Sequence, residues 1–332
     1  MNVRNIRELK DFAARRLDAC REDKRIVLIY AALALGSSAL VTVANYVIGS
    51  QIDNFGGLSN MGTRALLSAL QSMLPIVQNL FSMCLEVGFL AAMLRIARGQ
   101  YVSPNTLRLG FDRFWVLLRC SLFMGLMMSA VVFVSIYLGV MVFMMTPFSE
   151  PAMEVLMPFI SDATVLSSDI VLTDGAAEQL SQAITPAFVF CGIFLCLLGI
   201  PVLYNYRMVN YVIIDKPALG AMAALSASKR MMRGNRIALF KLDVSLWWYY
   251  LAMTLATVAG YGDTILPMLG ITLPGPEMLW YFVFYAVYLL LILGIYYLLR
   301  SRLEVTYALA YDAVKPKETQ NDGVILGSIF QM

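Results

Sequence analysis

The sequence predicts an all-α fold, a polytopic transmembrane helical bundle of about six spans with cytoplasmic interfacial amphipathic helices. The chain is 60% hydrophobic and 14% charged, whereas soluble domains carry about 45–50% apolar and about 25% charged residues. Six apolar stretches also reach the roughly 20 residues that a helix needs to cross a bilayer. These stretches are 26–48, 74–97, 115–146, 185–214, 244–266 and 279–299.

The basic residues are distributed asymmetrically around these spans. They are frequent in the N-terminal tail, 1–25, and again after the second, fourth and sixth spans. The loop 147–184 has six carboxylates and no Lys or Arg. Because basic loops stay in the cytoplasm, we expect both termini to be cytoplasmic, in a bacterial plasma membrane. The predicted parts are a basic tail 1–25, a membrane domain 26–311 with the external loop 147–184, and a second cytoplasmic tail, 312–332.

The string TVAGYGDT, residues 257–264, resembles the Thr-Val-Gly-Tyr-Gly filter loop of potassium channels, with Ala259 inserted. A filter loop enters from the outer face and lines the ion path with backbone carbonyls. That geometry would place the basic stretch 216–241 outside, against the charge asymmetry. Gly260 and Gly262 are typical of a helix end. We therefore interpret the string as the outer end of the fifth span.

The connection 216–242 combines a predicted amphipathic helix with a cluster of cations. Asp215 and Pro217 favour a helix start, and Gly234 suits a left-handed cap at its end. Four residues form what we call the basic patch: Lys229, Arg230, Arg233 and Arg236. Such a patch can bind anionic lipid headgroups at about 1 kcal/mol per basic residue. The alternative is that these residues only orient the helices in the membrane.

A shorter connection after the second span repeats part of this pattern. Ser103 and Pro104 offer a helix cap and a proline at the first helical position, and basic residues follow before the third span. The order of span, capped segment, basic residues and span therefore occurs twice. This suggests an internal repeat.

Polar residues inside the predicted spans mark a candidate internal site. Glu86 in the second span and Arg207 in the fourth lie at similar depths, about 13 Å from the inner edge for Glu86, and we predict that they face each other. Asn79 lies on the helical face of Glu86, and Asn205 and Asn210 lie close to Arg207. An ionisable residue inside a membrane is a functional-site hypothesis by default. The pair is either a structural ion pair or a site for a headgroup, ion or small solute.

The residue types argue against several kinds of chemistry. The chain contains no histidine, which removes the usual general base and the commonest metal ligand. Its five cysteines form no Cys-x-x-Cys pair, and the sequence has no nucleotide fingerprint, phosphate loop or nucleophile elbow. We therefore expect no enzyme, no metal, no cofactor and no nucleic-acid partner.

The segment 224–248, ALSASKRMMRGNRIALFKLDVSLWW, resembles the signature of a bacterial multi-pass membrane family, domain-of-unknown-function family nine-seven-five. The segments 6–17, 206–225 and 306–314 are similar to other parts of it. The signature residues are Ser228, Met232, Gly234, Asn235, Arg236, Phe240, Leu242, Asp243, Ser245 and Trp248. The family is distantly similar to membrane domains of some glycerophosphodiester phosphodiesterases. By analogy, this similarity implies a function that involves lipids. The chain departs from the family in the charged string REDKR at 21–25 and in its long acidic loop.

These observations favour a non-enzymatic membrane protein that binds or senses a lipid or amphiphile, or assists a partner transporter. The expected partners are membrane lipids, with another membrane protein as the second candidate. The alternative is a secondary transporter or channel for a small solute or ion, which the suggested repeat favours.

Overall fold

The computed structural model describes residues 5–20, 23–54, 61–150, 152–154, 174–271 and 274–315. These residues form helices and turns, and none of them forms a strand, which confirms the all-α prediction. The helices are α1 (Ile6–Asp18), α2 (Asp23–Asn54), α3 (Met61–Ala97), a 3-10 helix (Pro104–Arg108), α4 (Leu109–Asp112), α5 (Phe114–Met144), α6 (Asp174–Tyr206), α7 (Val209–Asp215), α8 (Ala221–Met232), α9 (Arg236–Ser245), α10 (Trp247–Gly260), α11 (Gly262–Met268), α12 (Glu277–Ile295) and α13 (Ser301–Val314). A π turn, Tyr296–Arg300, joins α12 to α13.

Five helical segments of the described chain are long and apolar enough to cross a membrane, which is compatible with a multi-pass membrane protein. They are Asp23–Ile52, Met61–Ala97, Phe114–Met144, Ile184–Asp215 and Met278–Val314. The predicted span 244–266 is divided among the end of α9, α10 and the start of α11. Because α10 has 14 residues, it is about 21 Å long, shorter than the roughly 30 Å hydrocarbon core of a bilayer. A sixth span therefore stays a prediction.

The chain forms two compact units, Met1–Leu118 with Met208–Met332, and Arg119–Arg207. In the second unit α5 and α6 approach each other closely at Gly139. A Cβ atom on this glycine would lie only 2.6 Å from the Cα of Cys191. The absence of a side chain thus lets the two backbones touch, as small residues do between membrane helices. Most of the predicted external loop 147–184 lies outside the described residues.

The core of the first unit surrounds α13. Every residue of 301–311 is buried except Arg302, and α13 packs against α1, α2 and α3. Helix α1 contributes Leu9, Ala13 and Leu17, which recur every four residues and form one apolar stripe. Part of the predicted N-terminal tail is therefore a helix of the core. Residues 316–332, in the predicted C-terminal tail, lie outside the described chain.

Two glycines let the 3-10 helix and α4 pack tightly on α3. A Cβ on Gly88 would lie 2.0 Å from the carbonyl oxygen of Leu107, and a Cβ on Gly110 would lie 1.8 Å from that of Cys84. Real Cβ atoms cannot approach so closely, so both positions require glycine or a backbone shift. The connection predicted at Ser103 and Pro104 is therefore a short segment pressed onto α3.

The filter-like string 257–264 is helical on both sides of a turn at Tyr261. The Tyr261 amide donates to the carbonyls of Thr257 and Val258 at 3.2 Å. These two carbonyls are therefore hydrogen-bonded at the C-terminal end of α10. Gly260 and Gly262 pack against aromatic rings of α12, where a Cβ would lie within 2.9 Å of Tyr288 and 2.4 Å of Phe284 respectively. Helix packing accounts for both glycines.

Candidate functional site

Glu86 lies where α3 enters the core of the first unit. Its neighbours Leu85 and Val87 are each 1% exposed, whereas the Glu86 side chain is 49% exposed. The carboxylate accepts a 3.4 Å hydrogen bond from Nη2 of Arg300, whose side chain is 11% exposed. A half-exposed carboxylate thus pairs with a buried guanidinium.

Aromatic rings enclose the guanidinium of Arg300. Its Cζ atom lies 5.3 Å from the ring centroid of Tyr30, 5.8 Å from that of Phe89 and 4.7 Å from that of Tyr296. These distances lie within the roughly 6 Å range of cation–π attraction. Arg300 is also the last residue of the π turn, a local feature found frequently at functional sites.

A second carboxylate faces Arg300 from the next turn of the helix. Oε1 of Glu304 lies 3.7 Å from Nη2 of Arg300, and the Tyr211 hydroxyl donates to Oε2 of Glu304 at 3.4 Å. Buried charges are costly unless they are paired and hydrogen-bonded. Arg300 is therefore shared between the buried Glu304 and the half-exposed Glu86. We call Glu86, Arg300, Glu304 and the rings around Arg300 the arginine cluster.

The residues predicted for the internal site are divided between the two units. Glu86, an exposed Asn79 and a half-buried Asn210 belong to the first unit, and a half-buried Asn205 and an exposed Arg207 belong to the second. The pairing of Glu86 with Arg207 stays a prediction.

Arg300 was not among the predicted site residues, because the basic residues that follow the sixth predicted span were interpreted only as setting the orientation. The available signal was local. Arg300 ends a long apolar run, and Glu304 follows it by four residues on the same helical face.

The basic patch lies at the junction of α8 and α9. The predicted helix start at Pro217 is wrong, since α8 begins at Ala221 after an extended Gly220. The physical reason is that Asp215 ends α7 and its carboxylate binds other side chains, so it cannot cap a new helix. Gly234 has a φ of 88°, which confirms the predicted left-handed conformation.

Three cations of the basic patch are exposed, and they have no ion-pair partner among the described residues: Lys229, Arg230 and Arg233. Arg236 is half-buried, and its Nε has no hydrogen-bond partner. Exposed apolar side chains follow directly on α9 and the start of α10, namely Ile237 (72% exposed), Phe240 (48%), Val244 (54%) and Trp247 (61%). The opposite face of α9 is anchored in the core by Leu239 and Leu242.

Asp243, a signature residue, binds α13. Its carboxylate accepts a hydrogen bond from the Tyr307 hydroxyl, which lies 2.9 Å from the hydroxyl of Tyr250. Nearby, Nζ of Lys10 donates to the carbonyl of Ser245 at 2.8 Å, and burial lowers the pKa of Lys10. The basic patch is thus tied through its C-terminal neighbours to both α1 and α13.

Asp215 occupies the centre of a second polar network. It lies 2.8 Å from Nη1 of Arg98 and 2.7 Å from Nζ of Lys315, and it accepts a 3.1 Å hydrogen bond from the hydroxyl of Tyr311. Arg98 also binds both carboxylate oxygens of Asp312, at 3.1 and 2.6 Å. Hydrogen bonds, first to Asp312 and then to Asp215, raise the pKa of Arg98. The network joins the ends of α3, α7 and α13.

The other signature residues have mainly structural environments. Ser228 and Met232 are fully buried, and Nδ2 of Asn235 donates to the carbonyl of Met231 at 2.9 Å. Trp248 packs edge-on against Tyr249, with ring centroids 6.5 Å apart. Within the described residues, no group of three or more His, Cys, Asp or Glu side chains could hold a metal ion.

Comparison with known proteins identifies the family. The family described as protein of unknown function (DUF975) matches residues 1–318. No curated protein and no solved structure matches the chain. The similarity to membrane domains of glycerophosphodiester phosphodiesterases stays a prediction. The chain belongs to the DUF975 family.

Proposed function

We propose that this DUF975-family protein is a non-enzymatic, multi-pass protein of the bacterial plasma membrane that binds anionic lipid headgroups through its basic patch. Both termini would be cytoplasmic, which places the patch at the inner surface, where anionic lipids concentrate positive charge. Its partners would be membrane lipids, with another membrane protein as the second candidate, and no nucleic acid.

The observation that carries the proposal is the outward face of α8 and α9. The end of α8 and the turn after it carry exposed cations that have no ion-pair partner among the described residues. The next helix, α9, exposes apolar side chains, while Leu239 and Leu242 hold its other face in the core. A helix with cations beside an apolar face is typical of the membrane interface, where apolar groups enter the acyl boundary and cations meet headgroups. A patch that only set orientation would not need the exposed apolar stripe.

The arginine cluster supports a second element of the proposal. Glu86 would be the accessible group of an internal polar site in the first unit, together with Asn79 and Asn210. The buried Arg300 would hold the Glu86 carboxylate in place. An amphiphile bound by the patch would then have a polar site within the membrane domain.

Native mass spectrometry of the protein released from nanodiscs tests the patch. Lys229→Gln, Arg230→Gln and Arg233→Gln together should weaken retention of anionic lipid, about fivefold per charge, because each contact contributes about 1 kcal/mol. The matched control is Arg7→Gln, Arg15→Gln and Arg108→Gln, which removes the same charge from three other exposed arginines. Equal weakening by both triple variants, or none by the patch variant, would refute a specific headgroup site.

Transport of a small solute or ion is the second candidate, favoured by the half-exposed Glu86 between buried neighbours. A carboxylate inside an apolar helix must face water, protein or a passing solute. Flux into proteoliposomes that falls with Glu86→Gln, at unchanged lipid retention, would favour transport over lipid binding.

A further inference from the structure

A cavity of about 320 Å³ lies at the core end of the first unit, away from the basic patch residues. It is an open pocket between the end of α1 and the turn that follows α3. Its lining residues are Arg16, Ala19, Cys20, Ile96, Gly99, Gln100, Tyr101 and Val102. The volume is at the lower end of the roughly 300–1,000 Å³ typical of small-molecule sites.

Among the described residues, the guanidinium of Arg16 is the only charged group that lines this cavity. It stacks on the ring of Phe12, with 4.9 Å from Cζ to the ring centroid. Its Nε atom is buried and has no hydrogen-bond partner, and no carboxylate of the described chain forms an ion pair with Arg16. A buried donor without a partner costs about 1–3 kcal/mol, so an acceptor that entered the cavity would relieve this cost.

The backbone around Gly99 makes room for the guanidinium. Gly99 has a φ of 70°, in the left-handed region that favours glycine. A Cβ atom at this position would lie 2.5 Å from Nη1 of Arg16. Glycine therefore both permits the turn after α3 and leaves the space that Arg16 fills.

The remaining polar groups of the lining can donate hydrogen bonds as well. The amide of Gln100 and the hydroxyl of Tyr101 both line the cavity, and Tyr101 is 83% exposed. An arginine fork beside neutral donors suits a phosphate group, which an arginine binds in a bidentate manner. A bare cation would find no carboxylate among the described residues of this lining.

We propose that this cavity is a binding site for a phosphate-bearing ligand, held by Arg16 and adjacent to Cys20. The phosphate comes from a lipid headgroup or from a soluble phosphorylated molecule. Because the basic patch residues do not line the cavity, this site is separate from the proposed headgroup patch, and either proposal can fail alone.

Cys20 provides a reporter inside the site, because it lines the cavity and its thiol forms no disulfide. The experiment measures alkylation of Cys20 by iodoacetamide, an uncharged reagent, through peptide mass spectrometry of the full chain in micelles of dodecyl maltoside, a detergent that carries no phosphate. Inorganic phosphate is the probe, with sodium chloride at equal ionic strength as the reference. At a concentration of about twice the dissociation constant, phosphate should slow alkylation about threefold by mass action.

The variants assign the effect to Arg16. Arg16→Gln should abolish protection by phosphate, whereas Arg15→Gln removes an exposed neighbouring charge and should keep it. Arg16→Lys keeps the positive charge but loses the planar guanidinium. Phosphate should therefore protect Cys20 only weakly in this variant, which replaces Arg16→Gln in the test if Arg16→Gln does not fold. Equal protection in Arg16→Gln and the unmodified chain, or equal slowing by chloride, would overturn the proposal.

A second arm identifies the source of the phosphate group. Dodecyl maltoside micelles that contain phosphatidic acid, without free phosphate, should slow Cys20 alkylation relative to micelles of the detergent alone if a headgroup enters the cavity. Protection by free phosphate alone would assign the site to a soluble ligand. Absence of protection in both arms would overturn the proposal.

Discussion

The two halves of α3 differ in their surroundings although one continuous helix forms both. None of the residues 61–83 is buried, whereas every residue of 84–97 is buried except Glu86 and Arg95. Both halves are apolar, so composition does not explain the difference. Small residues occur in both halves, but of the two glycines in α3 only Gly88 has another segment, the backbone at Leu107, packed against it, whereas Gly62 has nothing within 4 Å. On our proposal lipid covers the first half, and protein covers the second.

The largest expected effect comes from the arginine cluster at the start of the buried half. Arg300→Met leaves the buried Glu304 without its cation, which should lower the free energy of unfolding by about 3–5 kcal/mol. Arg64→Gln, at an exposed position of the first half, should change it by no more than about 0.5 kcal/mol. Denaturant unfolding in detergent, followed by circular dichroism, measures both.

A second variant that removes both buried charges separates loss of the ion pair from loss of packing. The double variant Arg300→Met with Glu304→Leu should recover much of the loss, because it removes both buried charges. A double variant as unstable as Arg300→Met alone would show that packing of the guanidinium against the rings dominates.

Paired glycines on α3 provide the next test. Gly88→Ala should destabilise the protein by about 1–3 kcal/mol, because its Cβ would overlap the backbone of Leu107. Gly62→Ala lies on the exposed half with nothing within 4 Å, and alanine there should stabilise the helix by up to about 1 kcal/mol. Thermal unfolding of the two variants should move in opposite directions, and a shared direction would contradict the comparison.

The hydrogen bond between α9 and α13 should contribute a similar amount. Tyr307→Phe removes a donor to the Asp243 carboxylate and a partner of the Tyr250 hydroxyl. The expected loss is about 1.5–3 kcal/mol, the range for hydrogen bonds to charged groups. Tyr261→Phe, at a hydroxyl-bearing ring that is 61% exposed, is the matched control and should leave the unfolding midpoint unchanged.

The smallest expected effect is a pH dependence from Lys10. Burial lowers its pKa below the ordinary 10.5, so between the two values the unfolded state binds more protons than the folded state. The contribution of Lys10 to the free energy of unfolding therefore increases as the pH rises from its folded-state pKa to its unfolded-state pKa. Lys10→Met should remove this rise in unfolding midpoint measured from pH 8 upward, and an unchanged pH profile would show that Lys10 does not titrate differently in the two states.

Several structural features could be predicted from local patterns. Gly234 was predicted in a left-handed conformation because a glycine directly follows a helix with basic residues in its last turn, and its φ of 88° agrees. The helix start at Pro217 could not be predicted correctly, because it depended on the carboxylate of Asp215. That carboxylate binds Arg98 and Lys315, which are distant in sequence, so it is not available as a cap.

The amino-acid sequence by itself determined the all-α class, the approximate position of the apolar helices and the family. These properties follow from composition, run length and local motifs, which act over a few turns of helix. Only the tertiary structure decided which half of α3 is buried and that Arg300 is the partner of Glu86 across 214 residues of chain. The physical reason is that burial and ion pairing depend on which elements meet in space. An apolar stretch has the same sequence pattern whether protein or lipid surrounds it in the folded state.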